Sequence, residues 1–248
     1  MRRLLVLLSA LLLPVGLVAQ AGGKFPPDSL INTQVLAHGT PVMQVIGQMR
    51  NFSGALGVRC QFCHVGEEGM PLDKFDFASD QKRTKRVARQ MMLMVAEVNR
   101  RLDTLPGRVS SGVQVTCATC HRGTNRPVPL AAIISEAAIG SGADSAVRAY
   151  RALRERFYGR DTYDFSEPSL NNAALRVGRA SKFSEAFSLI KLNEEFFPAS
   201  SAAAVMRGNI ELLRGDTTAA AAAFREAIQR DGTNPEPKGR LRDIGRTP

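Results

Sequence analysis

Cys60-Gln61-Phe62-Cys63-His64 and Cys117-Ala118-Thr119-Cys120-His121 repeat one pattern, C-x-x-C-H, and together use all four cysteines of the 248-residue chain. Two thiols at this spacing reach the two vinyl groups on one porphyrin edge, and the adjoining histidine can turn its imidazole onto the iron. The pattern predicts two covalently bound haem c groups, held by Cys60, Cys63, Cys117 and Cys120, with His64 and His121 as proximal ligands. Three other chemistries use C-x-x-C pairs. A structural zinc is disfavoured by the 53 residues between the pairs, against the roughly 15–20 of ribbon-type sites. A redox-active pair belongs beside a βαβ pattern that this chain lacks. Two local disulfides are the third, and none of the three explains a histidine after each pair.

Each iron needs a sixth ligand. The remaining histidine is His38, so methionine is the main supply. From Thr40-Pro41 to Gly57 the sequence predicts a helix, with Thr40 as N-cap, Pro41 in the first turn and Gly54 and Gly57 near the end. Its apolar positions Val42, Val45, Ile46, Met49, Phe52 and Leu56 keep helical spacing and put Met49 in mid-stripe. A second helix is expected from Ser79 to Leu102, with the stripe Val87, Met91, Met94, Val95, Val98 and Leu102. Met91 and Met94 both lie on that stripe. Met92 falls about 100° away on the helical wheel. A methionine in an apolar stripe is usually core, but two open iron sites reverse that preference here. Lys82, Arg83, Lys85, Arg86 and Arg89 cluster at the start of the second helix, either as partners for haem propionates or as a solvated face. His38 is read as a surface or structural residue, with axial ligation as its alternative.

The stretch from Pro41 to Pro127 resembles the cytochrome c subunit of photosynthetic reaction centres. The likeness rests on Met49 followed by Ala55-Leu56-Gly57-Val58-Arg59-Cys60-Gln61-Phe62-Cys63-His64, on Val87-Ala88-Arg89-Gln90-Met91, and on Val115-Thr116-Cys117-Ala118-Thr119-Cys120-His121-Arg122-Gly123. The resemblance implies that Met49 pairs with His64 and Met91 with His121; Met94, from its place on the stripe, and His38, as the remaining histidine, are the alternative axial ligands. Family members carry four haems in two such pairs, one of them taking a histidine between the second helix and its motif. This chain looks like one half of that arrangement and has no histidine between Met91 and Cys117.

Beyond Cys120, Arg122 to Pro129 has no periodicity, and residues 131–142 are expected to be a linker between a dihaem domain (22–130) and a helical-repeat domain (143–248). Residues 167–234 repeat with a 34-residue period, matching Ala174 to Gly208, Ala186 to Ala220 and Ile190 to Phe224. The pattern resembles tetratricopeptide repeats, with Arg214-Gly215-Asp216 at the turn between paired helices and Pro198 near the end of a repeat. Asn193 departs from it by occupying a small-residue position. Two such repeats need a neighbour to cover their apolar faces, and stacked helix pairs form a groove suited to docking a protein partner. A structural cap is the alternative role for this tail.

Residues 1–21 read as a secretion signal: Arg2 and Arg3, an apolar stretch from Leu4 to Val18, then Ala19-Gln20-Ala21 for cleavage. About fifteen apolar residues fall short of the roughly 20 that span a bilayer, so a cleaved leader is favoured over an uncleaved anchor. The net charge of +10 divides into two positives in the leader, 14 basic against 8 acidic residues over 22–130, and 17 against 15 over 131–248. Interleaved charge on an exported chain argues against nucleic acid. With 44% apolar and 23% charged residues, the composition is that of an ordinary globular protein. The expected protein is all-α and periplasmic. It is an electron carrier rather than an enzyme, exchanging single electrons with a protein donor and acceptor, which include a membrane-bound photosynthetic or respiratory complex. A dihaem peroxidase and a haem-bearing repeat scaffold or redox sensor are the alternatives.

Overall fold

In a computed structural model, residues 24–107, 112 and 114–247 are described. The leader read in residues 1–21 lies outside them. The described residues are all-α, with ten helices and one isolated antiparallel bridge between Val65 and Asp76. No helix among them is long and apolar enough to cross a membrane. The chain divides into two compact units at Cys117/Ala118.

In the first unit, α1 runs Val42–Leu56 and α2 runs Arg83–Asp103. Thr40 does not cap α1. Its hydroxyl donates to the Ala37 carbonyl at 2.6 Å, and Pro41 takes the cap position with no side-chain bond. The other end follows the expected chemistry: Gly57 is left-handed at φ 64, its N–H meets the Gly54 carbonyl, and Val58 N–H bonds to Ser53 O. That closure turns the chain out of the helix three residues before Cys60.

α2 starts four residues later than the sequence suggests. Asp76 accepts from the N–H groups of Ala78 and Ser79 at 3.0 and 2.9 Å, and the Lys85 ammonium takes the carbonyls of Phe77, Ala78 and Ser79 at 2.8–2.9 Å. Backbone groups that would have opened the helix are spent on this turn. The arrangement also relieves an electrostatic conflict. α2 has no acidic residue in its first turn, and cations there oppose the helix dipole. Lys85 and Arg86 reach back past the helix start to preceding carbonyls instead.

α3 (Cys117–His121) opens at the division, and in the second unit residues 122–129 follow and then α4 (Leu130–Ser141), so the segment expected as a linker is helix. Leu130, Ile134 and Ala138 are buried in it. α5 (Ala143–Phe157), α6 (Glu167–Arg179), α7 (Phe183–Phe196), α8 (Ser201–Arg214), α9 (Thr217–Arg230) and α10 (Pro235–Asp243) follow. α6, α8 and α10 begin 34 residues apart, as do α7 and α9.

Helices pack as consecutive pairs, α4 with α5, α6 with α7 and α8 with α9, and each first helix also touches that of the next pair. α4 and α5 cover one end and α10 covers the other. The helices are capped where the repeat turns: Ser200 accepts from Ala203 N–H, Asp216 from Ala219 N–H, and Asn234 from Glu236 N–H. Such caps contribute about 1 kcal/mol each. Asn193, the residue out of place in the repeat pattern, is buried. Its amide donates to the Asn171 side chain at 2.9 Å and the Glu167 carbonyl at 3.2 Å, joining α7 to α6.

Candidate haem-attachment sites

The first motif follows α1 directly. Cys60–Phe62 form a single 3-10 turn, and the Cys60 carbonyl accepts from Cys63 N–H at 3.2 Å and His64 N–H at 2.9 Å. This one turn therefore gathers both thiols and the imidazole. Cys60 is exposed and Cys63 half-buried. Burial pushes the Cys63 thiol up, against an opposing pull from the nearby Lys82 ammonium.

α2 grips this turn from its own start. The Lys82 ammonium donates to the Gln61 carbonyl, and the Thr84 hydroxyl to the Phe62 carbonyl. His64 lies edge-on to Phe77 with ring centroids 4.9 Å apart, and Phe77 stacks on Phe75 at 5.5 Å. Gly66 follows because the Phe75 ring occupies the place of a side chain: a Cβ there would lie 2.5 Å from it. Burial first, then the positive field of Lys85, pushes His64 down to about 4. The ring is thus neutral at ordinary pH, the form that can ligate a metal. Its Nδ1 is buried, and the ring is hydrogen-bonded to the Phe77 backbone.

The second motif is the short helix α3. His121 Nδ1 lies 2.9 Å from the Thr124 carbonyl. In the tautomer that donates this bond, Nε2 is left as the metal-facing nitrogen. Arg122 at φ 48 and Gly123 at φ 84 turn the chain so that Thr124 comes back beneath the ring. The Thr162 hydroxyl fastens that turn by donating to the Arg122 carbonyl at 2.6 Å. The segment leading into the motif is fixed by Asn99 on α2, which donates to Val115 O at 2.9 Å and accepts from Val115 N–H at 2.8 Å.

The methionines sit on helix faces, as the spacing predicts. Met49 is half-buried on α1. On α2, Val87, Met91, Met94 and Val98 are 37–51% exposed, forming an apolar, sulfur-bearing stripe on the helix surface. His38 lies in an exposed turn before α1. Four of the five basic residues at the start of α2 are engaged with the preceding turn. Lys82, Lys85 and Arg86 hold backbone carbonyls, Arg89 pairs with Asp80 at 2.7 Å, and Arg83 alone of the five is simply exposed without a bond to the turn.

Thr84 and Asn99 are site residues that sequence reasoning missed, and Lys82 was singled out there for its charge but not for its bond to the Gln61 carbonyl. Their partners are backbone atoms, which carry no residue signature. The donor set fits haem: paired thiols on a tight turn, a neutral or tautomer-fixed imidazole beside them, and an apolar face carrying thioethers.

Residues 67–152 match the family described as photosynthetic reaction centre cytochrome C subunit. The matched region covers about a third of the chain. It contains the second motif and begins just after the first. Cytochrome c-554 of Chloroflexus aurantiacus is 40% identical over 93 residues, which is 37% of this chain but only 20% of that relative's length. No solved structure matches the chain. The similarity is therefore to c-type cytochromes; the family match runs from residue 67 to 152, across the division between the two units, and the chain spans about a fifth of this relative.

Proposed function

We propose that this protein is an exported dihaem c-type cytochrome that carries single electrons between protein redox partners, with its helical array docking one of them. The observation that carries the reading is the pair of C-x-x-C-H turns, each presenting two thiols and an imidazole from one stretch of backbone. Haem held there would supply one-electron exchange between ferrous and ferric iron. The chain does the rest. Cys60, Cys63, Cys117 and Cys120 would hold the two groups covalently, while His64 and His121 offer nitrogen ligands. Thr124 fixes the His121 ring, and Lys82 and Thr84 fix the first attachment turn. By resemblance, Met49 serves the His64 side and Met91 the His121 side, with Met94 next on the same stripe. Thioether ligation favours the ferrous state and fills the coordination shell, which suits transfer of electrons rather than turnover of a small substrate.

The leader pattern of residues 1–21 supports export, and the 34-residue step of the helices supports a tetratricopeptide-like docking array. A photosynthetic membrane complex is the partner class suggested by the family match, with a respiratory complex as the alternative.

The deciding experiment is an optical titration of protein matured where haem is attached, for wild type, Met49→Ala, Met91→Ala and Met94→Ala. Two haems per chain are expected, with part of the ferric sulfur-to-iron band lost in Met49→Ala and in Met91→Ala but retained in Met94→Ala. Loss in Met94→Ala instead reassigns the second ligand. Absence of haem overturns the carrier reading. Two haems with a high-spin iron and peroxide turnover replace it with a peroxidase.

A further inference from the structure

Directly after the second motif, two residues in succession take up left-handed backbone, Arg122 at φ 48 and Gly123 at φ 84. Thr124 N–H closes the turn on the His121 carbonyl at 2.9 Å, and Arg122 N–H bonds back to Ala118 O at 3.1 Å. A four-residue turn with positive φ at both central positions is ordinarily built from glycine, asparagine or aspartate. Gly123 meets that need. Arg122 does not, and a side chain of its kind stays left-handed only where its surroundings hold it there.

The holding group comes from the helical array. The Thr162 hydroxyl, on the loop between α5 and α6, donates to the Arg122 carbonyl at 2.6 Å. Beside it, the Tyr163 hydroxyl reaches Thr124 Oγ1 at 3.5 Å, and the same oxygen accepts from Arg126 N–H at 3.4 Å. The loop is itself anchored: Tyr163 stands edge-on to the buried Phe157 with ring centroids 5.2 Å apart, and Asp164 accepts from Ser166 N–H at 2.8 Å. What the turn delivers is the Thr124 carbonyl, 2.9 Å from His121 Nδ1. The place of such a carbonyl sets which way an imidazole faces and how strongly it donates to a metal. The first motif is gripped instead from α2, by Lys82 and Thr84. The two sites therefore draw their support from different parts of the chain.

We propose that the α5–α6 loop of the helical array is a working part of the second haem site, with Thr162 as a positioning residue that holds Arg122 left-handed and so keeps the Thr124 carbonyl on His121. The inference rests on the two-haem carrier reading. Without the Thr162 bond, Arg122 relaxes toward negative φ and the Thr124 carbonyl moves off Nδ1. The imidazole then donates less, which favours ferrous iron at that site.

The test is a potentiometric titration of the full haem-loaded chain, read optically, with haem per chain counted on the same samples. Wild type, Thr162→Val and Thr162→Ser are compared. Cys117→Ser leaves one vinyl group unreacted and reddens the band of that haem alone, which marks the step belonging to the second site. Thr162→Val changes no charge. It is expected to raise the ferrous-to-ferric ratio of the second site at fixed potential by roughly two- to tenfold, the weight of one hydrogen bond. The other step should stay in place, and Thr162→Ser should restore the wild-type value. In an Arg122→Asn background, where asparagine tolerates the left-handed backbone, Thr162→Val should move the step less. A role confined to holding the array together predicts a lower melting temperature with both steps unmoved. Where Thr162→Val does not load two haems, Thr162→Ala, a smaller deletion of the same hydroxyl, must give the shift. One haem in both variants overturns the inference, because a positioning residue leaves the thioether bonds intact. Two haems with the second step unmoved or lowered, or with both steps moved alike, also overturn it and leave the carrier reading standing. One haem per chain in wild type overturns both.

Discussion

The cytochrome unit and the helical array bury their side chains by different means. Among the described residues before Ala118, the only buried apolar side chains are Val45 and Ala55, while Met91, Leu93 and Met94 on α2 are 40–51% exposed. The array has two packed clusters, one centred on Ile134, Tyr150, Leu189 and Ile190, the other on Phe224, Ala220 and Leu241. The first unit is held instead by polar clamps to backbone: three carbonyls on Lys85, two-way bonding between Asn99 and Val115, and Lys82 and Thr84 on the first motif. Hydrogen bonds contribute only about 0.5–1.5 kcal/mol net each. On the proposed reading, haem would supply the apolar cover that the first unit lacks, whereas the array covers itself.

The strongest way to break this contrast is to withhold haem. Fully burying Val87, Met91, Met94 and Val98 would contribute roughly 1.5–3 kcal/mol per side chain, several times any single clamp. In chain produced without haem attachment, limited proteolysis should cut within residues 24–117 while the α4–α10 segment resists and keeps its helical melting transition. Equal resistance across both units would show that the clamps suffice. Next in size, Ile134→Ala removes a fully buried side chain from α4 and should cost about 2–5 kcal/mol. Urea unfolding followed by circular dichroism measures this; a cost under about 1 kcal/mol would mean that α4 is not part of the core.

A matched pair of glycines sharpens the comparison further. A Cβ at Gly208 would lie 2.4 Å from the ring of Phe224, which is fully buried and cannot retreat. Overpacking costs about 1–3 kcal/mol, more than the roughly 1 kcal/mol that alanine gains over glycine in a helix. Gly208→Ala should therefore destabilise the array. Gly47 on α1 has nothing within 4 Å and lies off the Met49 stripe, so Gly47→Ala should stabilise the haem-loaded cytochrome unit by up to about 1 kcal/mol. Thermal melts resolve the two signs.

Legibility in the sequence divides along similar lines. The attachment turns were readable because C-x-x-C-H is a statement about side chains, and the array because apolar identity recurs every 34 residues. α4 was missed because Leu130-Ala131-Ala132-Ile133-Ile134 is apolar nearly all round. It packs against both α5 and α6, and a helix contacted on two sides shows no 3.6-residue contrast. Thr40 and Ser79 carry side chains that cap helices, but the same side chains serve turns equally well. Local turns win at both places: the Thr40 hydroxyl donates to the Ala37 carbonyl, and the Ser79 hydroxyl accepts from Gln81 N–H while Asp76 takes the Ser79 backbone N–H. The bonds of the basic cluster to the turn before α2 were not legible, because sequence shows charges and not the carbonyls they meet.

The smallest expected effect concerns one clamp of the cytochrome unit. The Asp80 carboxylate is held well below its ordinary range, first by Arg89, then by Asn32 and Lys85. The same knot ties the chain before α1 to α2, since Asn32 donates to the Ala78 carbonyl at 2.6 Å and Arg89 to the Asn32 carbonyl at 3.0 Å. For a carboxyl whose folded value lies below its unfolded one, the stabilisation is fully present above the unfolded value of about 3.9 and is lost as pH falls toward the folded value. The clamp should therefore be constant from neutral pH down to about 5 and weaken below about 4. Asp80→Asn removes that acid-dependent part and leaves Lys85 and Arg89, whose side chains are 11% and 12% exposed, without their carboxylate. In urea titrations of haem-loaded protein at a series of pH values, read at the haem band, wild type should lose cytochrome-unit stability along a steeper acid limb than Asp80→Asn. The variant should start lower at neutral pH, and the two curves should converge in acid. Parallel curves would place the acid sensitivity elsewhere and leave Asp80 as a pair that stabilises the turn without sensing pH.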